Sequence, residues 1–141
     1  MELDEIIYNA IKADSELMSI IGGRVFSTCI EVPPTEMDNT PIPYIIITDD
    51  PFANGDTTKD EEWESDIDKV QAGVEISAES ASEVKRLRRL VRKVVSAYVK
   101  DMEDRPHLTS LTSSGIAWDW TKPCYYDVLH YQCDIQNEVI I

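Results

Sequence analysis

The stretch from Ser80 to Met102, SASEVKRLRRLVRKVVSAYVKDM, restricts the fold more than any other part of the chain. At 100° per residue, Val84, Leu87, Val91, Val94, Val95, Tyr98 and Met102 fall on one stripe, the period of a helix laid on a core. Ser80 and Glu83 have the spacing of a capping box, in which each side chain satisfies a backbone N–H left unpaired at the helix start. The opposite arc holds Lys85, Arg86, Arg88, Arg89, Arg92, Lys93 and Lys100. A solvated face is the ordinary explanation of such an arc. Here it gathers seven of the thirteen basic residues of a chain whose net charge is −14, so it is also a candidate docking surface.

A helix of this kind needs other elements to cover its stripe, and the rest of the chain supplies them. Residues 3–13 place Leu3, Ile6, Ile7, Ala10 and Ile11 on one helical face. A short second helix through Leu17, Met18, Ile20 and Ile21 is capped by Asp14 or Ser15. Gly22-Gly23 stops it, because glycine accepts the left-handed backbone of a helix end. Arg24–Val32 reads as a strand that Pro33-Pro34 terminates. Tyr44–Thr48 is a short, β-branched apolar run suited to a central strand buried on both faces.

From Ile67 to Ala78 the chain alternates, with Val70, Ala72, Val74, Ile76 and Ala78 on one side and Gln71, Gly73, Glu75 and Ser77 on the other. The helix is expected to end near Asp104, and Thr109–Gly115 reads as a polar connector. Two strands then close the chain, Ile116–Trp120 and Asp127–Ile135. In the second, Leu129, Tyr131, Cys133 and Ile135 alternate toward the core and His130 away from it. The expected fold is α+β: a largely antiparallel sheet of four to five strands with an N-terminal helix and a long amphipathic helix on one face. Residues 1–141 read as one domain of ordinary size.

One segment interrupts this order. Asp49 to Asp68 carries nine acids against one lysine, too much charge for burial to offset the entropy of ordering it. It reads as a mobile loop over about residues 49–66, with Trp63 as its one anchor. Asp56, Asp60, Glu61, Glu62 and Glu64 make it the electrostatic counterpart of the basic arc.

Catalytic equipment is scarce. His107 falls in a loop and His130 on a strand, without metal-ligand spacing. No G-x-S-x-G, phosphate loop or H-E-x-x-H occurs. The acidic segment fails the calcium-loop pattern, because Phe52 stands where an oxygen ligand is required. Cys29, Cys124 and Cys133 form no C-x-x-C pair and read as free thiols of a reducing compartment. No catalytic, metal-binding or cofactor-binding residue is therefore assigned. No apolar run reaches the length that spans a bilayer, the acidic amphipathic N-terminus is not a leader, and a pI near 4.4 opposes binding to nucleic acid or anionic membranes.

The landmarks NAIKADSELMSIIGGRVFS, PIPYIII and KVQAGVEISAES, followed by the long helix and a late strand, resemble in order and spacing the tail terminator, or tail completion, family of long-tailed bacteriophages and prophages. The resemblance covers residues 5–100 and is strongest at Gly22-Gly23-Arg24-Val25-Phe26 and Pro43-Tyr44-Ile45-Ile46. The chain departs from the family pattern in its acidic segment and in Trp118, Trp120, Tyr125 and Tyr126. The resemblance implies a non-enzymatic assembly protein that forms a ring, commonly a hexamer, on the head-proximal end of the tail tube. Such a ring ends tail growth and helps join the tail to the head. Its implied partners are further copies of itself, the tail tube protein and a head-completion or connector protein. The implied location is the host bacterial cytoplasm and then the virion. A connector or stopper subunit is the nearest alternative, and a small nucleic-acid-binding module using the basic helix is the alternative of another class. The expected subunit interface joins Lys85, Arg86, Arg88, Arg89, Arg92 and Lys93 to Asp56, Asp60, Glu61, Glu62 and Glu64 of a neighbour.

Overall fold

A computed structural model describes residues 3–27, 41–54, 67–103 and 106–136. Helix α1 (Leu3–Ala13) and helix α2 (Ser15–Ile21) lead into strand β1 (Val25–Ser27). Strands β2 (Tyr44–Asn54) and β3 (Ile67–Ala78) follow, then helix α3 (Ala81–Lys100) and strands β4 (His107–Ser113), β5 (Ala117–Asp119) and β6 (Cys124–Gln136). The sheet order is β1-β2-β3-β6-β4, with β5 on the same side of β6 as β4. Among the described residues only β1 and β2 run parallel; every other pair is antiparallel.

Local chemistry sets the helix ends. Asp14 accepts a hydrogen bond from the Leu17 N–H at 2.9 Å, supplying one of the partners a helix start lacks. Gly22, at φ 59°, closes α2 in the left-handed region, where a side chain would be strained. Ser80 accepts from the Glu83 N–H at 3.2 Å and starts α3.

The core lies between the helices and one face of the sheet. Helix α1 packs on α3 and on β1, β2 and β3, while α3 packs on β3 and β6. Cross-strand register assembles the apolar layer beneath them: Ile45 opposite Ile76, Ile47 opposite Val74, and Val74 in turn opposite Leu129. From above, α1 contributes Leu3, Ile7 and Ile11, and α3 contributes Val84, Leu87, Val91, Val95 and Val99, all buried. Each such side chain contributes about 1.5 to 3 kcal/mol by leaving water. Val94, Tyr98 and Met102 flank the layer as half-buried residues together with Leu90.

Several sequence expectations change. Among the described residues the sheet has six strands, not four to five, because the hydroxyl-rich stretch read as a connector is β4, and His107 begins that strand. A register shift between Leu108 and Ser110 lets Leu108 and Leu111, three residues apart, both pack on the core. The expected loop from 49 to 66 begins later: Asp49 and Asp50 belong to β2, paired with Ala72 and Gln71. Of the expected strand at 24–32, β1 holds Val25–Ser27, and residues 28–32 lie outside the described residues. The strand at 116–120 shrinks to Ala117–Asp119, and the last strand begins at Cys124 rather than Asp127. Helix α3 ends at Lys100.

Candidate functional site

Helix periodicity sorts the basic residues of α3 into two groups. Lys85, Arg88, Arg89 and Arg92 stand at i, i+3, i+4 and i+7, one continuous stripe, and line a recess of about 190 Å³. Arg88 and Arg92 also line an adjoining cleft of about 290 Å³ between α3 and β4, together with Leu111, Thr112, Ser113 and Leu129. Arg86 and Lys93 are exposed elsewhere on the helix. Asp56, Asp60, Glu61, Glu62 and Glu64, the expected acidic counterparts, lie outside the described residues, as does Trp63.

The four cations are not equivalent. Arg88 reaches the sheet and donates to Asp127 Oδ2 at 2.8 Å. Ser113 Oγ donates to the same oxygen at 2.6 Å and accepts from the Gly115 N–H at 3.0 Å. Asp127 is fully buried. Burial pushes its pKa up, but the hydrogen bonds from Ser113 and Arg88 and the guanidinium charge outweigh this and hold it below the usual carboxylate range. Arg88 is thereby fixed as a bolt between α3 and β6, whereas Lys85, Arg89 and Arg92 remain exposed. Nearby, burial raises the Tyr131 hydroxyl to about 12, against the pull of Arg92. Asp127 Oδ1 and the Tyr131 hydroxyl have no hydrogen-bond partner among the described residues.

The face of the sheet away from the helices carries a second polar group that sequence reading missed. Ser114 Oγ lies 2.8 Å from His130 Nε2, and His130 Nδ1 lies 3.9 Å from Asp50 Oδ2. Thr48 Oγ1 donates to Asp50 Oδ1 at 3.2 Å. The register explains the convergence: Thr48, Gly73 and His130 share one row across β2, β3 and β6, and Gly73 has no side chain to separate its neighbours.

The order serine, histidine, aspartate invites comparison with a hydrolase, but the geometry lacks what acyl transfer needs. The histidine–aspartate separation exceeds a hydrogen bond, and His130 keeps 41% of its side chain in water. The N–H groups of Ser114 and Gly115 are already donated, to Val128 O and Ser113 Oγ, so neither is available to an oxyanion. A Cβ at Gly73 would lie 2.7 Å from Thr48 Oγ1 and 3.3 Å from Asp50 Oδ2. Gly73→Ala is accordingly expected to lose about 1 kcal/mol in urea unfolding, with part of the loss recovered on a Thr48→Ala background.

At the far end of β6 an aromatic tip projects. Trp118 meets Tyr125 edge-on at 4.8 Å between centroids and Trp120 at 6.1 Å, and Trp120 is 87% exposed. Asp119 Oδ1 holds the turn by accepting from Thr121 N, Thr121 Oγ1 and Lys122 N. Lys122, itself buried, lies 4.4 Å above the Tyr44 ring. Cys124 and Cys133 are buried and belong to no disulfide, and Cys29 lies outside the described residues. Among the described residues no three His, Cys, Asp or Glu side chains converge as metal ligands, and no helix is long and apolar enough to cross a membrane.

No family model matches the chain, and no curated protein matches its sequence. Solved structures do. One is that of the bacteriophage SPP1 gp17 protein, with a TM-score of 0.59 and 12% identity, covering 98% of this chain and 91% of that one. Another is a chain in the virion of a native gene transfer agent particle, with a TM-score of 0.50 and 16% identity, covering 96% of each. At these identities the likeness is one of fold. Nearly the whole chain shares its fold with a bacteriophage protein and with a chain of a virion particle.

Proposed function

We propose that this chain is a structural protein of a phage or prophage virion. It assembles as a ring, of hexameric size in the simplest case, on the head-proximal end of the tail tube. The ring ends tube growth and joins the tail to the head through a connector or head-completion protein. Its place is the host cytoplasm during assembly and the tail–head junction afterwards. The observation that carries this reading is the likeness of fold over 98% of the chain to bacteriophage SPP1 gp17, in agreement with the order of landmarks along the sequence. A connector or stopper subunit at the same junction is the nearest neighbour of this reading.

The physical surface suits an assembly role. A ring is built from two different patches of one subunit that meet on neighbours. The exposed cations of α3, in a chain of net charge −14, provide one such patch and an attraction between copies. Exposed ion pairs contribute only about 0.2 to 1 kcal/mol each, so self-association is expected to weaken steadily between about 50 and 500 mM salt.

Negative-stain imaging of the purified protein, alone and mixed with tail tubes, tests the reading. Rings and capped tube ends are the expected result; tubes that bind no protein and continue to grow would refute it. The same stripe of cations recommends a gel shift with random DNA at low salt. Lys85, Arg88, Arg89 and Arg92 have no aromatic side chain among them to stack on a base, so no specific complex is expected.

A further inference from the structure

The cleft between α3 and β4 combines two chemistries. Leu111 and buried Leu129 give it an apolar interior, while Arg92, with Arg89 and Lys85 in the adjoining recess, gives it a cationic margin. Arg88 is held by Asp127. Lys85, Arg89 and Arg92 are exposed and make no ion pair with a described residue. Beside them a buried donor also lacks a partner. Tyr131, 2% exposed, stands opposite Leu111 on the same face of the sheet, and the charge of Arg92 acts on its hydroxyl. With a pKa of about 12 that hydroxyl keeps its proton at neutral pH, and among the described residues nothing accepts it. A buried donor left unmet is destabilising, and an anion brought to Arg92 supplies the acceptor.

The spacing of the cations restricts what that anion belongs to. Lys85 to Arg92 covers seven residues of helix, about 10 Å, too far for one carboxylate. Lys85 and Arg89 stand about 6 Å apart along the axis, and alternate side chains of an extended segment stand about 6.7 Å apart. The cleft, at about 290 Å³, lies at the lower limit of small-molecule pockets, about 300 Å³, and has room for one apolar side chain. A nucleic acid would leave Leu111 and Leu129 unused, and no aromatic residue lines the cleft to stack on a base. The large apolar side chains exposed among the described residues are Trp118 and Trp120. They have a single carboxylate between them, Asp119, already engaged in holding its own turn, against three cations.

We infer that the α3–β4 cleft is a docking site for an extended acidic segment of another protein. One apolar side chain of the segment enters between Leu111 and Leu129. Its flanking carboxylates pair with Lys85, Arg89 and Arg92, and one of them accepts from the Tyr131 hydroxyl. Guanidinium groups suit this role because they pair with carboxylates in a planar fork. Arg86 and Lys93, exposed elsewhere on the helix, remain for contacts between copies, so this docking needs neither ring nor tube.

A fluorescein-labelled peptide, Asp-Glu-Leu-Glu-Asp, tests the site by fluorescence anisotropy against the full chain at about 50 mM salt. Binding is expected, with at least a tenfold loss when the acids are replaced by their amides and at least a fivefold loss when leucine is replaced by serine. Arg92→Glu is expected to lose at least tenfold in affinity; Arg92→Gln repeats the test if the glutamate variant folds poorly by circular dichroism. Tyr131→Phe separates ligand binding from folding: affinity is expected to fall at least threefold while the urea midpoint does not fall, because the hydroxyl removed has no partner in the free protein. Saturating peptide is expected to leave the oligomeric state unchanged in sedimentation velocity.

A serine peptide that binds as well as the leucine one, or affinity indifferent to Arg92 or to Tyr131, would overturn the assignment. So would a random DNA strand that displaces the peptide as effectively as unlabelled peptide does, since the site would then select phosphate. Oligomers that dissociate as peptide binds would overturn it too, because the cleft would then be filled by a second copy. Capped tail tubes from a protein that binds no peptide would refute the cleft and leave the tail reading in place; peptide binding by a protein that never engages tubes would do the reverse.

Discussion

Arg88→Glu is expected to destabilise the protein by about 3 kcal/mol, seen as a lower urea midpoint with an unchanged slope. The substitution would place a second carboxylate beside Asp127, which is fully buried, and remove the 2.8 Å bond that compensates its charge. Removing one partner of a buried pair strands the other, and that penalty exceeds the net value of the pair itself. Arg88 retains 28% of its side-chain exposure, so solvent screening keeps the figure at the lower end of the range. Arg89→Glu and Arg92→Glu, reversing neighbours that face water, are expected to change stability by no more than about 0.5 kcal/mol. A loss of similar size in all three variants would show that Arg88 has no special structural part.

The same carboxylate shapes the response to acid. Asp127 titrates below the usual range in the folded protein, so its contribution is complete above the unfolded carboxylate pKa and disappears as pH falls through the folded one. Glu75 behaves oppositely. Burial, and then the charge of Asp119, push its pKa up, so the folded protein takes up its proton first and gains stability as pH falls from neutral. Stability is therefore expected to rise slightly in mild acid and then collapse. Glu75→Gln is expected to remove the rise and Asp127→Asn to blunt the collapse, both measured as urea midpoints across pH.

Leu87→Ala is the second large effect, expected to lose about 3 kcal/mol. Leu87 is fully buried in the layer that α3 shares with β3 and β6. Alanine is the better helix former, so the loss isolates packing from helix propensity. Trp120→Ala, deleting a larger side chain that is 87% exposed, is expected to stay within about 0.5 kcal/mol. Comparable losses at the two positions would mean that α3 does not seal the core as described.

How much of this was readable in the sequence depended on how regular each burial pattern is. Helix α3 was legible because its apolar stripe persists for several turns. Strand β3 matched its expected span, Ile67–Ala78, because alternation over twelve residues has no helical counterpart. Strand β4 was hidden: only Leu108 and Leu111 pack on the core, and the register shift between them breaks the period of two. The end of β2 was hidden by its charges, since Asp49 and Asp50 suggest a loop until Ala72 and Gln71 are seen opposite them.

For the site, the i, i+3, i+4, i+7 stripe was present in the sequence, but the separate duty of Arg88 was not. One signal could have found it. Asp127 is in phase with Leu129, Tyr131 and Cys133, and an acid on the inward side of a strand requires a cation somewhere. The Ser114–His130–Asp50 group left no such trace, because it exists only through pairing across four strands.

The outer margin formed by β4 and β5 has one more implication. It is broken between Ser113 and Ala117, where Gly115 turns at φ 90°, and four of the seven side chains of β4 are short hydroxyls. An unbroken, greasy margin would invite indiscriminate stacking of backbones from crowded, newly made copies. This one discourages such fusion, so identical molecules can accumulate without sticking and leave the choice of neighbour to their side chains.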